Sequence, residues 1–320
     1  MVSTPVAPTV SVVVPCFNGA RFVGEAVASA LAQTHRDLEV VVVDDGSTDD
    51  SAARVRALGD PRVRVVAQAN AGVAAARNRG AAEARGDYLA FLDQDDSWLP
   101  EKLARQLARF AERPAAGIVY CDGFIVSEHG AVLDTWGARY RLPAGHVFEA
   151  LASRCVIPVS TLVLPRATFE AVGGFRGFRY VEDLDLILRV AAGHPIEMVA
   201  TPLARYRIHP GSETRRLGLE VATDELLALY QDLMATYPTR RAHIAAALGR
   251  NLRDAAKTAV YERRDALARR YFSEALRYRR GLDVRMFAVL ARVAPGLLRA
   301  GRTLVRALRG PRGPAPGHAP

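Results

Sequence analysis

Four apolar runs recur in the first hundred residues, and each ends in polar or acidic residues. They are Val10–Val14, Leu38–Val43, Val63–Ala67 and Tyr88–Leu92. Between them lie three stretches with helical apolar spacing, Arg21–Gln33, Ser51–Leu58 and Val73–Ala84. Strands that are apolar throughout, separated by helices, require a parallel sheet covered on both faces. That pattern predicts an open α/β fold. Such folds bind ligands outside the carboxyl ends of their strands. Three segments fall at those ends: Pro15-Cys16-Phe17-Asn18, Asp44-Asp45-Gly46-Ser47 and Asp93-Gln94-Asp95-Asp96.

Beyond a helix predicted at Glu101–Glu112 the pattern changes. Short strands at Gly117–Cys121, Ser160–Leu164 and Leu203–Ile208 mix with turns and with a helix over about 184–192. This reads as a second wall over the same site. From about residue 217 to 309 the spacing is helical, with breaks at Pro238 and Pro295-Gly296. The final Pro/Gly-rich stretch predicts a disordered tail. The expected divisions are therefore 1–105, 106–212, 213–310 and 311–320.

Charge is unevenly placed. The chain carries +9 overall, yet from Arg240 onward it has 19 Lys/Arg against 5 Asp/Glu, so the preceding part is net acidic. A basic tail on an acidic body argues for one anionic contact through the tail, against nucleic acid along the whole surface. Arg285, Arg292, Arg299 and Arg306 recur every seven residues, with Arg302 and Arg309 beside the last two and apolar residues between. A basic amphipathic helix can lie in an anionic membrane interface; packing on protein is the other use of such a helix. No apolar run approaches the roughly 18 residues of a membrane span, and the first residues lack the features of a secretory signal. Three separated cysteines suit a reducing compartment. These features predict a cytoplasmic protein, peripheral on the cytoplasmic face of the inner membrane.

The acids at 93–96 raise the chemical question. Three carboxylates in four residues repel one another unless something neutralises them. A strand-end Asp-x-Asp can place two around Mg²⁺ or Mn²⁺, which take oxygen ligands and leave room for substrate phosphates. Solvation, or capping of the helix after Ser97-Trp98-Leu99-Pro100, is the alternative. Asp44-Asp45-Gly46-Ser47 could read a sugar hydroxyl or base edge, but taken alone it reads first as a turn with a helix cap. No Gly-x-Gly-x-x-Gly or P-loop follows the first strand, which removes the main support for a dinucleotide site or a phosphate loop.

Taken together and in order, these segments resemble family 2 glycosyltransferases of the GT-A fold. The resemblance runs over about 10–210, through VSVVVPCFNGARFVGEAVASALAQTHRDLEVVVVDDGSTDDS and NAGVAAARNRGAAEARGDYLAFLDQDDSWLPEKL. It implies a mixed Rossmann-type sheet followed by a helical C-terminal region. It also implies roles. Pro15 and Asn18 line the nucleotide, Asp45 contacts the base, and Arg77 reaches the nucleotide. Asp95 binds the metal, with Asp93 on ribose or metal and His209 completing the site. Gly173, Gly174 and Glu182 stand on the acceptor side, and Asp183 is the general base. Asp96 is expected to be a turn or helix-start acid outside the chemistry.

The reaction so implied is inverting, metal-dependent transfer of a sugar from a nucleotide donor, with UDP expected, to a hydroxyl acceptor such as a lipid-linked one. Arginine outnumbers lysine 41 to 2, a bias of GC-rich bacterial coding, which points to cell-surface polysaccharide or glycolipid synthesis. A nucleotidyl- or phosphotransferase using the same acids is the alternative enzyme, and a basic nucleic-acid binder is the alternative outside catalysis. The acidic strand ends, and a tail without interleaved aromatics, argue against nucleic acid.

Overall fold

A computed structural model describes residues 9–278, 282–293 and 296. These form two compact units, one of residues 9–148 with 156–210, the other of 149–155 with the described residues from 211 on. The expected segments 1–105 and 106–212 both fall largely in the first unit, and 149–155 falls in the second.

In the first unit, β1 (Val10–Cys16), β2 (Leu38–Asp44), β3 (Val63–Ala67) and β4 (Tyr88–Phe91) alternate with α1 (Val23–Leu31), α2 (Ser51–Arg56) and α3 (Val73–Glu83). All four strands are parallel, in the order β3-β2-β1-β4. The β-branched runs explain this arrangement. Val12, Val14, Val40 and Val42 bury one face against Val23, Ala26, Val27 and Ala30 of α1. Val41 and Val43 bury the other against Ala76 of α3. Gly80 lets α3 come close, because a Cβ there would stand 2.3 Å from Val13 Cγ1.

The chain winds from β1 outward to β3, then returns to add β4 on the other side of β1. The winding reverses between β1 and β4, and an open α/β sheet forms its ligand crevice at such a reversal. Register aligns the ends of β1 and β2, with Cys16 opposite Asp44, whereas β4 stops earlier, with Phe91 opposite Val13.

The second half of this unit makes the sheet mixed. It holds β5 (Ser97–Trp98), α4 (Lys102–Glu112), β6 (Ile118–Ser127), β7 (Val132–Thr135), α5 (Trp136–Arg139), β8 (Val163–Pro165), α7 (Arg166–Ala171), α8 (Glu182–Gly193) and β9 (Ile196–Ile208), with α6 (Phe148–Ser153) leading out of it. Strand β8 runs antiparallel to β4, and β9 is parallel to β6. The mixed sheet flanked by helices agrees with expectation. Strand β9 begins earlier than its apolar residues suggest, because slips in register opposite Cys121–Gly123 carry it past Pro202. The alternative use of the 93–96 acids, capping a following helix, is not what the fold shows: Ser97 and Trp98 pair with Arg205 and Ala204 as β5, so α4 starts only at Lys102.

The second unit is helical, with α9 (Glu213–Thr236), α10 (Arg241–Tyr261), α11 (Asp265–Tyr278) and α12 (Leu282–Val293). The break at Pro238 lies where expected. A further break between α10 and α11 carries no Gly or Pro, and Arg263 takes the left-handed conformation there (φ 60°). Ile244, Leu248 and Leu252 of α10 and Tyr271 and Phe272 of α11 are buried. Phe287 of α12 stacks on Phe272, 6.1 Å between ring centres. The arginines expected at 299, 302, 306 and 309 and the bend at Pro295 lie outside the described residues.

Candidate active site

The loops after β1 and β2 are laced to each other. Asn18 adopts a left-handed conformation (φ 49°), which its short polar side chain tolerates. Its backbone N–H donates to Ser47 Oγ at 3.0 Å, and its Oδ1 accepts from the Thr48 N–H at 2.8 Å. Pro15 is buried one residue before the end of β1, opposite Val43. Asp45 is also buried. Its Oδ1 accepts from the Ala71 N–H (2.8 Å) and from Gln68 Nε2 (2.7 Å), and its Oδ2 from the Gly72 N–H (2.9 Å). Asp45 therefore ties the end of β2 to the start of α3. Asp44 is half-buried at the same strand end, with Oδ1 on the Ser47 N–H.

The crevice between β1 and β4 is closed by a residue the sequence reading passed over. Gln94 accepts from the Phe17 N–H at 2.9 Å and donates to the Phe17 carbonyl at 3.2 Å. The only sequence signal for it is its position inside Asp-x-Asp. Asp93 is anchored by its own N–H, which donates to Ser160 Oγ at 3.1 Å.

Arg77 organises the centre of the site. An alanine-rich helix carries it inward, where its side chain is 3% exposed. One Nη donates to Asp93 at 2.7 Å and the other to Glu182 at 2.7 Å, and the guanidinium lies 5.3 Å from the Phe175 ring centre. Burial alone would weaken the cation, but Asp93 and Glu182 more than offset it and hold the guanidinium firmly charged. Arg77 thus joins the acid after β4 to the acid pair that opens α8. Both ends of the fork expected to reach the nucleotide are engaged by side chains of the protein itself.

Asp183 follows Glu182 in the first turn of α8, half-buried, with Oδ1 accepting from the Leu184 N–H at 2.6 Å. Burial pushes both carboxyls up, Asp183 to about 6, against the opposing pull of Arg77. Asp185 faces away from this pair. It is fully buried and bound by Arg176 and Arg189, and Arg189 also donates to the Gly174 carbonyl. Gly173 and Gly174 both have left-handed φ (80° and 67°), and a Cβ on Gly174 would meet Asn78 Oδ1 at 2.7 Å. Asn78, also unread in the sequence, holds Phe175 from both sides: Oδ1 accepts its N–H at 2.9 Å and Nδ2 donates to its carbonyl at 2.8 Å.

Asp95 and His209 form a separate pair. Asp95 Oδ2 lies 2.8 Å from His209 Nε2, with side chains 22% and 13% exposed, and the Phe22 ring stands 5.1 Å from the imidazole. Among the described residues no set of three or more His, Cys, Asp or Glu side chains forms a metal cluster. The donor chemistry of this pair still fits Mg²⁺ or Mn²⁺. Such cations are held by one or two protein ligands plus phosphates and water, and two adjacent ligands about 2.1 Å from an octahedral ion lie about 3 Å apart.

Asp96 closes a turn as expected, its N–H donating to the Asp93 carbonyl at 3.1 Å, but it starts no helix. It is 3% exposed, and its Oδ1 accepts from the Arg207 N–H at 2.9 Å, so it fastens β9 rather than opening a helix. Burial, with Asp95 and Asp93 nearby, pushes its carboxyl well above the usual range.

Residues 11–179 match the family described as glycosyl transferase family 2, more than half of the chain. The chain belongs to this family. It is 30% identical over 215 residues to an uncharacterized glycosyltransferase of Rickettsia prowazekii, covering 65% of this chain and 66% of that protein. A Rickettsia felis glycosyltransferase aligns at 32% identity over 66% of this chain but only 36% of its own length, so the match spans less than two thirds of these relatives. The Escherichia coli UDP-Glc:alpha-D-GlcNAc-diphosphoundecaprenol beta-1,3-glucosyltransferase WfaP is 30% identical over 63% of this chain and 78% of its own. Staphylococcus aureus TarS, solved as residues 1–349 with UDP-GlcNAc, shares the fold: TM-score 0.67 at 16% identity, covering 93% of this chain and 92% of that one.

Proposed function

We propose that this family 2 chain is an inverting, metal-dependent glycosyltransferase. It moves a sugar from a nucleoside diphosphate donor to a hydroxyl acceptor. The observation that carries this reading is the Arg77 bridge. At 2.7 Å on each side it draws an acid at the donor crevice and the Glu182-Asp183 pair into one cluster. Asp183 takes the proton from the acceptor hydroxyl as that oxygen attacks the anomeric carbon, and its raised pKa suits it to that task near neutral pH. One displacement with one base inverts the configuration. Asp95 and His209 would hold the divalent cation, with Asp93 beside them, and the bound ion would neutralise charge developing on the departing diphosphate. Gln94 and the Asn18 loop shape the nucleotide end, while Gly173 and Gly174 frame the acceptor side.

The donor is proposed to be a UDP-sugar and the acceptor a lipid-linked saccharide in cell-surface glycan synthesis. The activity for which the Escherichia coli relative is named supports both. The test is release of nucleoside diphosphate across a panel of sugar nucleotides, comparing the native protein with Asp183→Asn. Transfer should fall by about 10³-fold or more in the variant, within the range a positioned general base supplies. Donor binding should be unchanged. Turnover near the native rate, with donor bound, removes Asp183 from the role.

A lipid-linked acceptor fits a peripheral membrane position. On α12, Phe287 packs inward while Arg285, Met286, Val289 and Arg292 share an exposed face, with Met286 55% and Val289 58% accessible. Arginines beside exposed apolar side chains suit an anionic lipid interface. Among the described residues no helix is long and apolar enough to cross a membrane. Co-sedimentation with phosphatidylglycerol vesicles should fall when Met286 and Val289 become Ser and Arg285 and Arg292 become Gln. Equal binding by the fourfold variant rules this face out.

A further inference from the structure

Arg207 lies on β9, two residues before His209, and is 5% exposed. Every arm of its guanidinium is engaged. Nε donates to the backbone carbonyl of Asp95 at 2.9 Å, Nη1 to the carbonyl of Glu128 at 3.1 Å, and Nη2 to Glu25 on α1 at 2.6 Å. Its own N–H holds Asp96 Oδ1 at 2.9 Å. Its guanidinium carbon stands 4.9 Å from the centre of the Phe22 ring, the ring that also flanks His209.

The two residues that fit the cation stand 114 positions apart in sequence. Neither is held to the other by regular pairing of its own backbone, since β5 begins two residues after Asp95 and β9 ends one before His209. A pair of ligands binds tightly only when the backbones behind them are fixed to about 0.5 Å. Arg207 supplies that restraint. It is joined covalently to the His209 segment and hydrogen-bonded to the Asp95 carbonyl, while Glu25, Glu128 and Phe22 hold the fork in place. A planar fork with several donors can serve three acceptors at once, and a lysine ammonium at the same site cannot reach them all.

We propose that Arg207 is the positioning residue of the metal site: it sets the separation of Asp95 and His209 and thereby the affinity for Mg²⁺ or Mn²⁺. This rests on the metal reading above and does not depend on which sugar is transferred.

The experiment titrates Mn²⁺ into the full-length protein and follows the electron paramagnetic resonance signal of free Mn²⁺, for the native chain, Arg207→Lys and Glu25→Gln. Arg207→Lys should bind Mn²⁺ about tenfold or more weakly, the scale on which partners behind metal ligands act. UDP binding in EDTA should stay at the native level, which a general loosening of the fold would not allow. Glu25→Gln, on an exposed side chain, should weaken Mn²⁺ binding less and in the same direction. Native Mn²⁺ affinity in Arg207→Lys overturns the proposal, as does a matching loss of metal-free UDP binding. If Arg207→Lys does not fold, unchanged affinity in Glu25→Gln overturns it. A native chain that binds no Mn²⁺ ends the metal reading and this proposal together, whereas native binding that both variants retain ends only this one.

Discussion

The site contains two groups of acids that solve the same electrostatic problem in different ways. Asp93, Glu182 and Asp183 surround Arg77, a cation the chain supplies itself and buries at 3% exposure. Among the described residues the Asp95 carboxylate pairs with an imidazole, 2.8 Å away, and with no arginine or lysine side chain. A buried carboxylate without a partner is too costly to keep, so the first group must carry its counter-charge in the fold itself. Asp95, at 22% exposure against 9% for Glu182, tolerates an incomplete shell. On the function proposed above the lesson is one of division: the permanent cation would serve the acids that orient and receive a proton, and an exchangeable cation would be wanted only where the leaving diphosphate must come and go.

Removing the permanent cation should produce the largest structural effect. Arg77→Met leaves Glu182 buried without its partner, and breaking a buried pair on one side costs about 3–5 kcal/mol. Asp95→Asn removes one member of a partly exposed pair and should cost no more than about 1 kcal/mol. Urea unfolding of the two variants measures both. Equal losses would break the comparison, because they would mean that Asp95 is as dependent on its partner as Glu182. The double variant Arg77→Met with Glu182→Met should regain much of the lost stability, since it leaves no buried charge at that contact.

How much of this was legible in the sequence follows from range. The first four strands and three helices are written in local periodicity, because each β-branched run is buried by its own neighbours. The acids at strand ends were legible as well, since an α/β sheet delivers its loops to one edge. Their partners were not. Arg77 in an alanine-rich helix gives no local sign that it will meet Glu182, 105 residues on. Gln94, Asn78 and Arg207 act through backbone groups of distant segments, and a backbone acceptor leaves no mark on the sequence of the donor. Asp96 is half legible for the same reason. Read locally, it sits in a turn or starts a helix; in the fold the turn is present, but the next two residues pair as β5 with a strand more than a hundred positions away, and its carboxylate goes to the Arg207 backbone N–H.

The smallest effect is a shift in a pH profile, and it tests whether Arg77 acts on the base through charge. A carboxyl raised in the folded enzyme is competent as a base only when deprotonated, so activity is present above its pKa and lost as pH falls through it. With Asp183 pushed up to about 6 by burial, kcat should decline on the acid side near that value. Glu182 and Asp183 interact, so the limb reports the pair rather than one residue. Arg77 pulls both values down against burial. Arg77→Met, measured where it remains folded, should therefore move the acid limb toward higher pH, while Asp95→Asn at saturating Mn²⁺ should leave the limb in place. A limb that moves with Asp95 and not with Arg77 would reverse the division between the two groups, because the base would then answer to the exchangeable cation instead of the permanent one.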